Sequence, residues 1–253
     1  MEGNHRGAVL RRRRRGQGRL RQGVAGLAVG LRCASPDRAG AHRDVGARAD
    51  REGRADWRAA VQDRCVHGGA AFGNVPAAFG PDGKVGIFES NSIMRAVARL
   101  GEAKFPLYGR DAYEASRIDS FLDVSLVFAR DSQIYLLALS GGTVDAAIHA
   151  RARDAFAIYA SGIEQALSPR RETLVGDGIS LADICFAAEL ALFMNEYGRS
   201  EQLDRQGLTR ILHPGVQDGY PLMFAHFARL VEHAYFAPDL KPYVEKLRSK
   251  AAA

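Results

Sequence analysis

The sequence predicts a two-part chain, a small mixed α/β domain followed by an all-helical domain, and three observations predict it. Ala77-Ala78-Phe79 and Val85-Gly86-Ile87-Phe88 are short apolar runs joined by Gly80-Pro81-Asp82-Gly83. Turn chemistry between two such runs is a hairpin signal. From Asp111 onward apolar residues recur at helical spacing, as in Ile148, Ala152, Ala155, Phe156, Tyr159, Ile163 and Leu167, which is one face of a long helix. Between the two parts, Lys104 to Gly109 carries Pro106 and reads as a linker.

The first 70 residues follow a different pattern. They hold 16 arginines, no lysine and 7 acidic residues, about +9, while residues 71–253 hold 19 basic and 22 acidic residues, about −3. The overall charge of +6 therefore belongs to the leader. Nothing in the remainder attracts nucleic acid. Residues 1–22, with Arg11 to Arg15 in one block, show no amphipathic period and read as a disordered, Arg-rich leader. Residues 23–70 are dominated by Arg, Ala, Gly, Asp and Val. GC-rich DNA read out of frame gives such a bias, and much of residues 1–70 is expected to be an artefact of that kind. Translating the other frames upstream tests it; finding no βαβ sequence there would defeat it.

Each element follows in order. After the hairpin a helix starts near Ser90 and runs to Leu100, with Gly101 after it. A second begins at Asp111, where Asp111 and Glu114 form a D-x-x-E capping box, and continues through Ala115, Ile118, Phe121, Leu122 and Ser125. A third spans roughly 144–167, a fourth starts at Ser180, and a fifth lies near 222–235. Cys33, Cys65 and Cys185 form no CxxC pair, which argues against a disulfide framework or a zinc site and fits a reducing, cytoplasmic setting. No apolar run approaches the ~18 residues of a membrane span.

Two segments carry the chemistry. In Gly176-Asp177-Gly178-Ile179-Ser180-Leu181-Ala182-Asp183-Ile184, Ser180 suits an N-cap and the Asp183 carboxylate can reach back to the Ser180 N–H. Ile179 and Ile184 are placed as a hydrophobic staple. About 90 residues earlier stand Asn74-Val75-Pro76-Ala77 and Phe88-Glu89-Ser90-Asn91-Ser92-Ile93. Together, in this order and spacing, the two segments resemble the glutathione transferase superfamily, from about Phe72 to the C-terminus.

That resemblance implies a thioredoxin-like domain over residues 23–103 and a helical C-terminal domain over 111–247. It implies glutathione as substrate, a small hydrophobic electrophile as acceptor, a homodimer, and no metal, nucleic acid or membrane. Glutathione needs a strand edge for its cysteinyl backbone, donors for its γ-glutamyl carboxylate and an acid for its ammonium. A cis Val75-Pro76 bond would present the Val75 N–H and C=O. Ser90 would supply a hydroxyl and helix-start N–H groups, and Glu89 would receive the ammonium. In the family the thiol is activated by a Tyr or Ser hydroxyl, or a Cys forms a mixed disulfide, just after the first strand. Ser35 and Cys33, after the apolar run 23–31 and before Pro36, are the catalytic candidates at that place, where this chain departs most from the family. Tyr113, Phe128, Phe193 and Tyr197 either line an apolar acceptor pocket between the domains or are core. His226 and His233 read as packing or surface residues, and Cys185 as a buried, inert thiol.

A second reading competes. Glu89 to Arg95 and Leu107-Tyr108-Gly109 are similar to the N-terminal part of the gamma subunit of elongation factor 1. That likeness implies a non-catalytic interaction module. A third reading is a helical remnant with no glutathione activity.

Overall fold

The computed structural model describes residues 77–79, 86–101, 105–168 and 171–251. The chain divides into two compact units, one ending at Leu100 and the other beginning at Gly101.

In the first unit, β1 (Ala77–Phe79) and β2 (Gly86–Phe88) pair antiparallel, with Ala77 opposite Phe88 and Phe79 opposite Gly86. Helix α1 (Ser90–Leu100) follows after one residue. The hairpin and the helix limits expected from the sequence are both present.

The second unit is helical. It comprises α2 (Ala112–Ser140), α3 (Ala146–Ala166), α4 (Leu181–Phe193), a 3-10 segment (Met194–Arg199), α5 (Ser200–Asp204), α6 (Val216–Gly219), α7 (Pro221–Glu232) and α8 (Ala237–Ala251). Helix α2 is 29 residues long, about 43 Å at 1.5 Å per residue. Its buried residues, among them Ile118, Leu122, Ser125, Phe128, Ser132, Tyr135 and Leu139, recur every three or four positions. This is the stripe a helix needs to pack along its whole length. The stripe includes two serines, and each hydroxyl donates to a carbonyl one turn back, Ser125 to Leu122 and Ser132 to Ala129.

Helices α3 and α4 pack against α2. Aromatic rings fill the space between them. Phe128 stacks on Tyr159 with centroids 4.6 Å apart, Phe156 stacks on Phe193 at 5.4 Å, and Phe128 meets Phe193 edge-on at 5.4 Å. Each such ring contributes about 1.5–3 kcal/mol by burial, with a further ~0.5–1.5 kcal/mol per well-oriented pair.

Helix starts are held by side chains. Asp111 accepts from the N–H groups of Tyr113 and Glu114 at 2.8 Å. The expected reciprocal bond is absent: the Glu114 carboxylate accepts instead from Arg110 N at 2.8 Å, one residue earlier. Helix α7, which opens on Pro221, is capped from another helix. Glu164 of α3 accepts from Leu222 N at 3.0 Å and Met223 N at 2.7 Å. A carboxylate there satisfies two orphan donors and meets the positive end of the helix dipole.

Helix α8 lies beyond the last helix individually placed from the sequence, near 222–235, though largely within the helical domain expected over 111–247. Pro242 sits inside it. An interior proline costs about 3 kcal/mol, but Val244 and Leu247 are almost completely buried beyond it, and α8 packs on α7 and the 3-10 segment. Tertiary burial outweighs the local penalty.

Candidate functional site

Two groups of residues stand out, one in each unit. The first is the corner between β2 and α1. The register sets Ala77, which follows Pro76, opposite Phe88, which precedes Glu89. Glu89 has φ +67°, the one non-glycine residue with positive φ among the described residues. A left-handed conformation costs an L-residue about 1–2 kcal/mol, and such strain persists only where the surroundings impose it. Its carbonyl accepts from Ile93 N at 3.0 Å, so Glu89 is where the chain turns from strand to helix. Ser90 is exposed at the first helical position, and Asn91 beside it is buried.

Chemically, this corner joins a carboxylate and a hydroxyl at the positive end of a helix. A helix start favours an anion, and Glu89 adds an acceptor for a cation. A ligand that is carboxylate and ammonium within a few ångströms matches both. The sequence singled out Glu89 and Ser90 but did not foresee the strained backbone. Asn91 was missed too, because a polar residue at a helix start normally reads as solvated. Val75, Pro76, Ser35 and Cys33 lie outside the described residues.

The second group surrounds Asp183, which is completely buried. The capping box at the start of α4 is closed. One oxygen of Asp183 accepts from Ser180 N and the Ser180 hydroxyl, each at 2.9 Å. The other accepts from Leu174 N at 3.0 Å and lies 2.9 Å from His226 Nε2. Arg229 Nη2 is 3.3 Å from His226 Nδ1. A guanidinium only donates, so Nδ1 accepts and the Nε2–H donates to Asp183. The buried carboxylate is thus fully satisfied, as burial requires. Ile179 and Ile184, the expected staple, are both half-buried. His226 packs in the core, as expected, but its bond to Asp183, 43 positions away in the chain, left no sequence signal.

The approach to α4 is shaped by two glycines. Gly109 has φ +86° and Gly176 φ +68°. A Cβ at Gly109 would lie 2.8 Å from Ala115 N, and one at Gly176 would lie 3.2 Å from the Glu114 carboxylate. Leu181 N donates to Leu107 O at 2.8 Å, so the start of α4 is tied to the 105–109 turn.

Two other acids, Glu196 and Glu189, are buried and half-buried. Glu196 accepts from the Tyr135 hydroxyl at 2.6 Å, Ile211 N at 2.7 Å and Leu212 N at 2.9 Å. Burial pushes its carboxyl upward against those bonds, and burial likewise raises the Tyr135 phenol. Glu189 has one oxygen without a partner, and burial pushes it up to about 7. The Cys185 thiol is buried 2.9 Å from the Ser125 hydroxyl.

The four aromatics considered for an acceptor pocket separate. Phe128 and Phe193 are core residues, 2% and 0% exposed, whereas Tyr113 is 73% exposed. Tyr197 is half-buried under the Arg210 guanidinium, 5.4 Å from its ring centroid. Among the described residues no group of His, Cys, Asp and Glu is placed to hold a metal, and no helix is long and apolar enough to cross a membrane.

No protein-family profile and no curated protein sequence matches the chain. Solved structures do. A glutathione S-transferase from Methylobacillus flagellatus KT with GSH bound aligns over 70% of this chain and 78% of its own, at 18% identity and a TM-score of 0.52. One from Rhodospirillum rubrum F11 aligns over 70% and 74%, at 18% identity and 0.52. A nematode-specific one from C. elegans aligns over 74% and 78%, at 21% identity and 0.51. The helical unit has a glutathione S-transferase-like fold. Within this glutathione S-transferase-like helical unit the long α2 and the capped α4 are the features described above.

Proposed function

We propose that this chain binds glutathione at the Glu89–Ser90 corner and transfers it to a small hydrophobic electrophile. The observation that carries the reading is the left-handed Glu89 immediately before the exposed Ser90 at a helix start. A strained backbone at a polar corner is a common mark of a ligand site. The γ-glutamyl carboxylate would take the Ser90 hydroxyl and the helix-start N–H groups, and its ammonium would take Glu89. Val75 and Pro76 would supply the strand edge for the cysteinyl backbone, and Ser35 or Cys33 the thiol-activating group. The likeness to a glutathione S-transferase structure with GSH bound supports glutathione as the ligand.

The active form would be a homodimer. Val124, Val127 and Ile134 are 51%, 59% and 41% exposed and share one face of α2 at three- and seven-residue spacing. An apolar stripe of this kind is what a second subunit covers.

Titration calorimetry with glutathione tests the reading. The chain is expected to bind, and Ser90→Ala to weaken binding by about tenfold, the loss of one charge-assisted hydrogen bond. A folded chain that binds no glutathione but co-purifies stoichiometrically with a partner would favour the interaction-module reading instead.

A further inference from the structure

The sequence holds three Asp-Gly pairs, Asp82-Gly83, Asp177-Gly178 and Asp218-Gly219. The first lies outside the described residues. In such a pair the glycine nitrogen can reach the carboxyl of the aspartate before it, because no Cβ shields it and its backbone bends easily. The structure separates the other two pairs, which the sequence leaves alike.

Asp177 and Gly178 are exposed in irregular backbone just before α4, and the Asp177 side chain is 83% exposed. Among the described residues Gly178 N donates to no acceptor. The Asp177 carboxylate meets Arg110 Nη1 at 2.9 Å in an ion pair open to solvent on both sides, and such pairs hold weakly. Asp218 and Gly219 instead end α6. Helical backbone points the glycine N–H along the axis toward the preceding turn, away from the Asp218 carboxyl, and Tyr220 N bonds back to Gln217 O at 3.3 Å.

The exposed pair also lies in a clamped stretch of chain. Asp183 accepts from Leu174 N on one side of it and from Ser180 N on the other, at 3.0 and 2.9 Å. The Thr173 hydroxyl donates to Gly176 O at 2.9 Å. The length of this stretch therefore sets how α4 starts.

We propose that Asp177-Gly178 is a site of spontaneous isoaspartate formation that loosens the start of α4. Gly178 N attacks Cγ of the protonated Asp177 carboxyl. An N–C bond forms, and the amide proton and the carboxyl hydroxyl leave as water. Water then opens the five-membered imide. Opening at the former backbone carbonyl leaves the main chain running through the Asp177 side chain, with the α-carboxylate free. The mass is unchanged and no oxidant takes part. The chain becomes one methylene longer between the two N–H groups that Asp183 holds.

The test ages the full chain in mildly acidic buffer at body temperature. Isoaspartate is located by peptide mapping with electron-transfer fragmentation and counted with a methyltransferase specific for its free α-carboxylate. It is expected at 177 at several times its rate at 218. Gly178→Ala should reduce it at least about tenfold, because a Cβ shields the attacking nitrogen. That variant is expected to fold, since Gly178 has no positive φ and no atom within 4 Å of where its Cβ would lie. The modified fraction should melt below the unmodified chain, and aged Gly178→Ala should not develop a low-melting fraction. Absence of isoaspartate at 177, or equal accumulation at 177 and 218, would overturn the proposal. A modified fraction that melts with the unmodified chain would overturn the link to α4.

Discussion

Glu189 shows what a single half-buried residue does. One of its oxygens has no partner, and burial raises its carboxyl from 4.5 to about 7. The folded state therefore holds this proton more tightly than the unfolded chain. Stability from the protonated form is complete below about pH 4.5 and is lost as pH rises through about 7, for a total on the order of 2–3 kcal/mol. Glu189→Gln is expected to raise the melting temperature by about 5 °C at pH 8 and to change it little at pH 4.5; thermal melts at the two pH values check this. Ser180 works in the opposite sense, because it is well partnered. Ser180→Ala removes a donor to Asp183 and the cap of α4, and should cost about 1 kcal/mol or more. Denaturant titration showing no shift would contradict that role. Glu196 organises three donors at once. Glu196→Ala would strand the Tyr135 hydroxyl and two backbone N–H groups and should cost about 3 kcal/mol or more.

Among elements, α7 and α8 depend most on their neighbours. The side chain that caps α7 comes from α3, so its start depends on tertiary structure. Glu164→Ala should destabilise by about 1–2 kcal/mol, with early amide exchange concentrated at Leu222 and Met223. Uniform exchange along α7 would show that the cap matters little. Helix α8 carries an interior proline and is held by Val244 and Leu247. Leu247→Ala is expected to cost about 2–5 kcal/mol, read by chemical denaturation. The corner before α1 is the reverse case. Its strain at Glu89 is local, and replacement by Gly would relieve the backbone while removing the carboxylate. A folded Glu89→Gly variant with weaker glutathione binding and unchanged or higher stability would separate the two effects.

For the whole molecule, the proposed homodimer and the proposed glutathione site make separable claims. Val127→Asp places a charge in the exposed stripe of α2. It should shift sedimentation velocity from dimer to monomer if that stripe is the subunit contact, and leave it unchanged otherwise. The division of charge is a whole-molecule property too. The basic excess lies in residues 1–70, so salt-dependent association with polyanions belongs to that segment rather than to the helical unit.

The sequence by itself determined the elements whose signals are local. The hairpin, the limits of α1, the cap at Asp111 and the capping box at Ser180 rest on turn residues, caps and periodicity within a few positions. The resemblance through Gly176 to Ile184 likewise announced the transferase-like fold of the helical unit. Only the tertiary structure decided the rest. Glu114 accepts from Arg110 N rather than closing its own box. His226 found Asp183 across 43 residues of chain, Glu164 capped a helix 57 residues later, and α8 formed through a proline. Apart from the Glu114–Arg110 bond, which spans four residues, these are long-range contacts whose partners carry no sequence mark of one another. Each is decided when burial makes an unsatisfied group, or an exposed apolar face, more costly than the local preference it overrides.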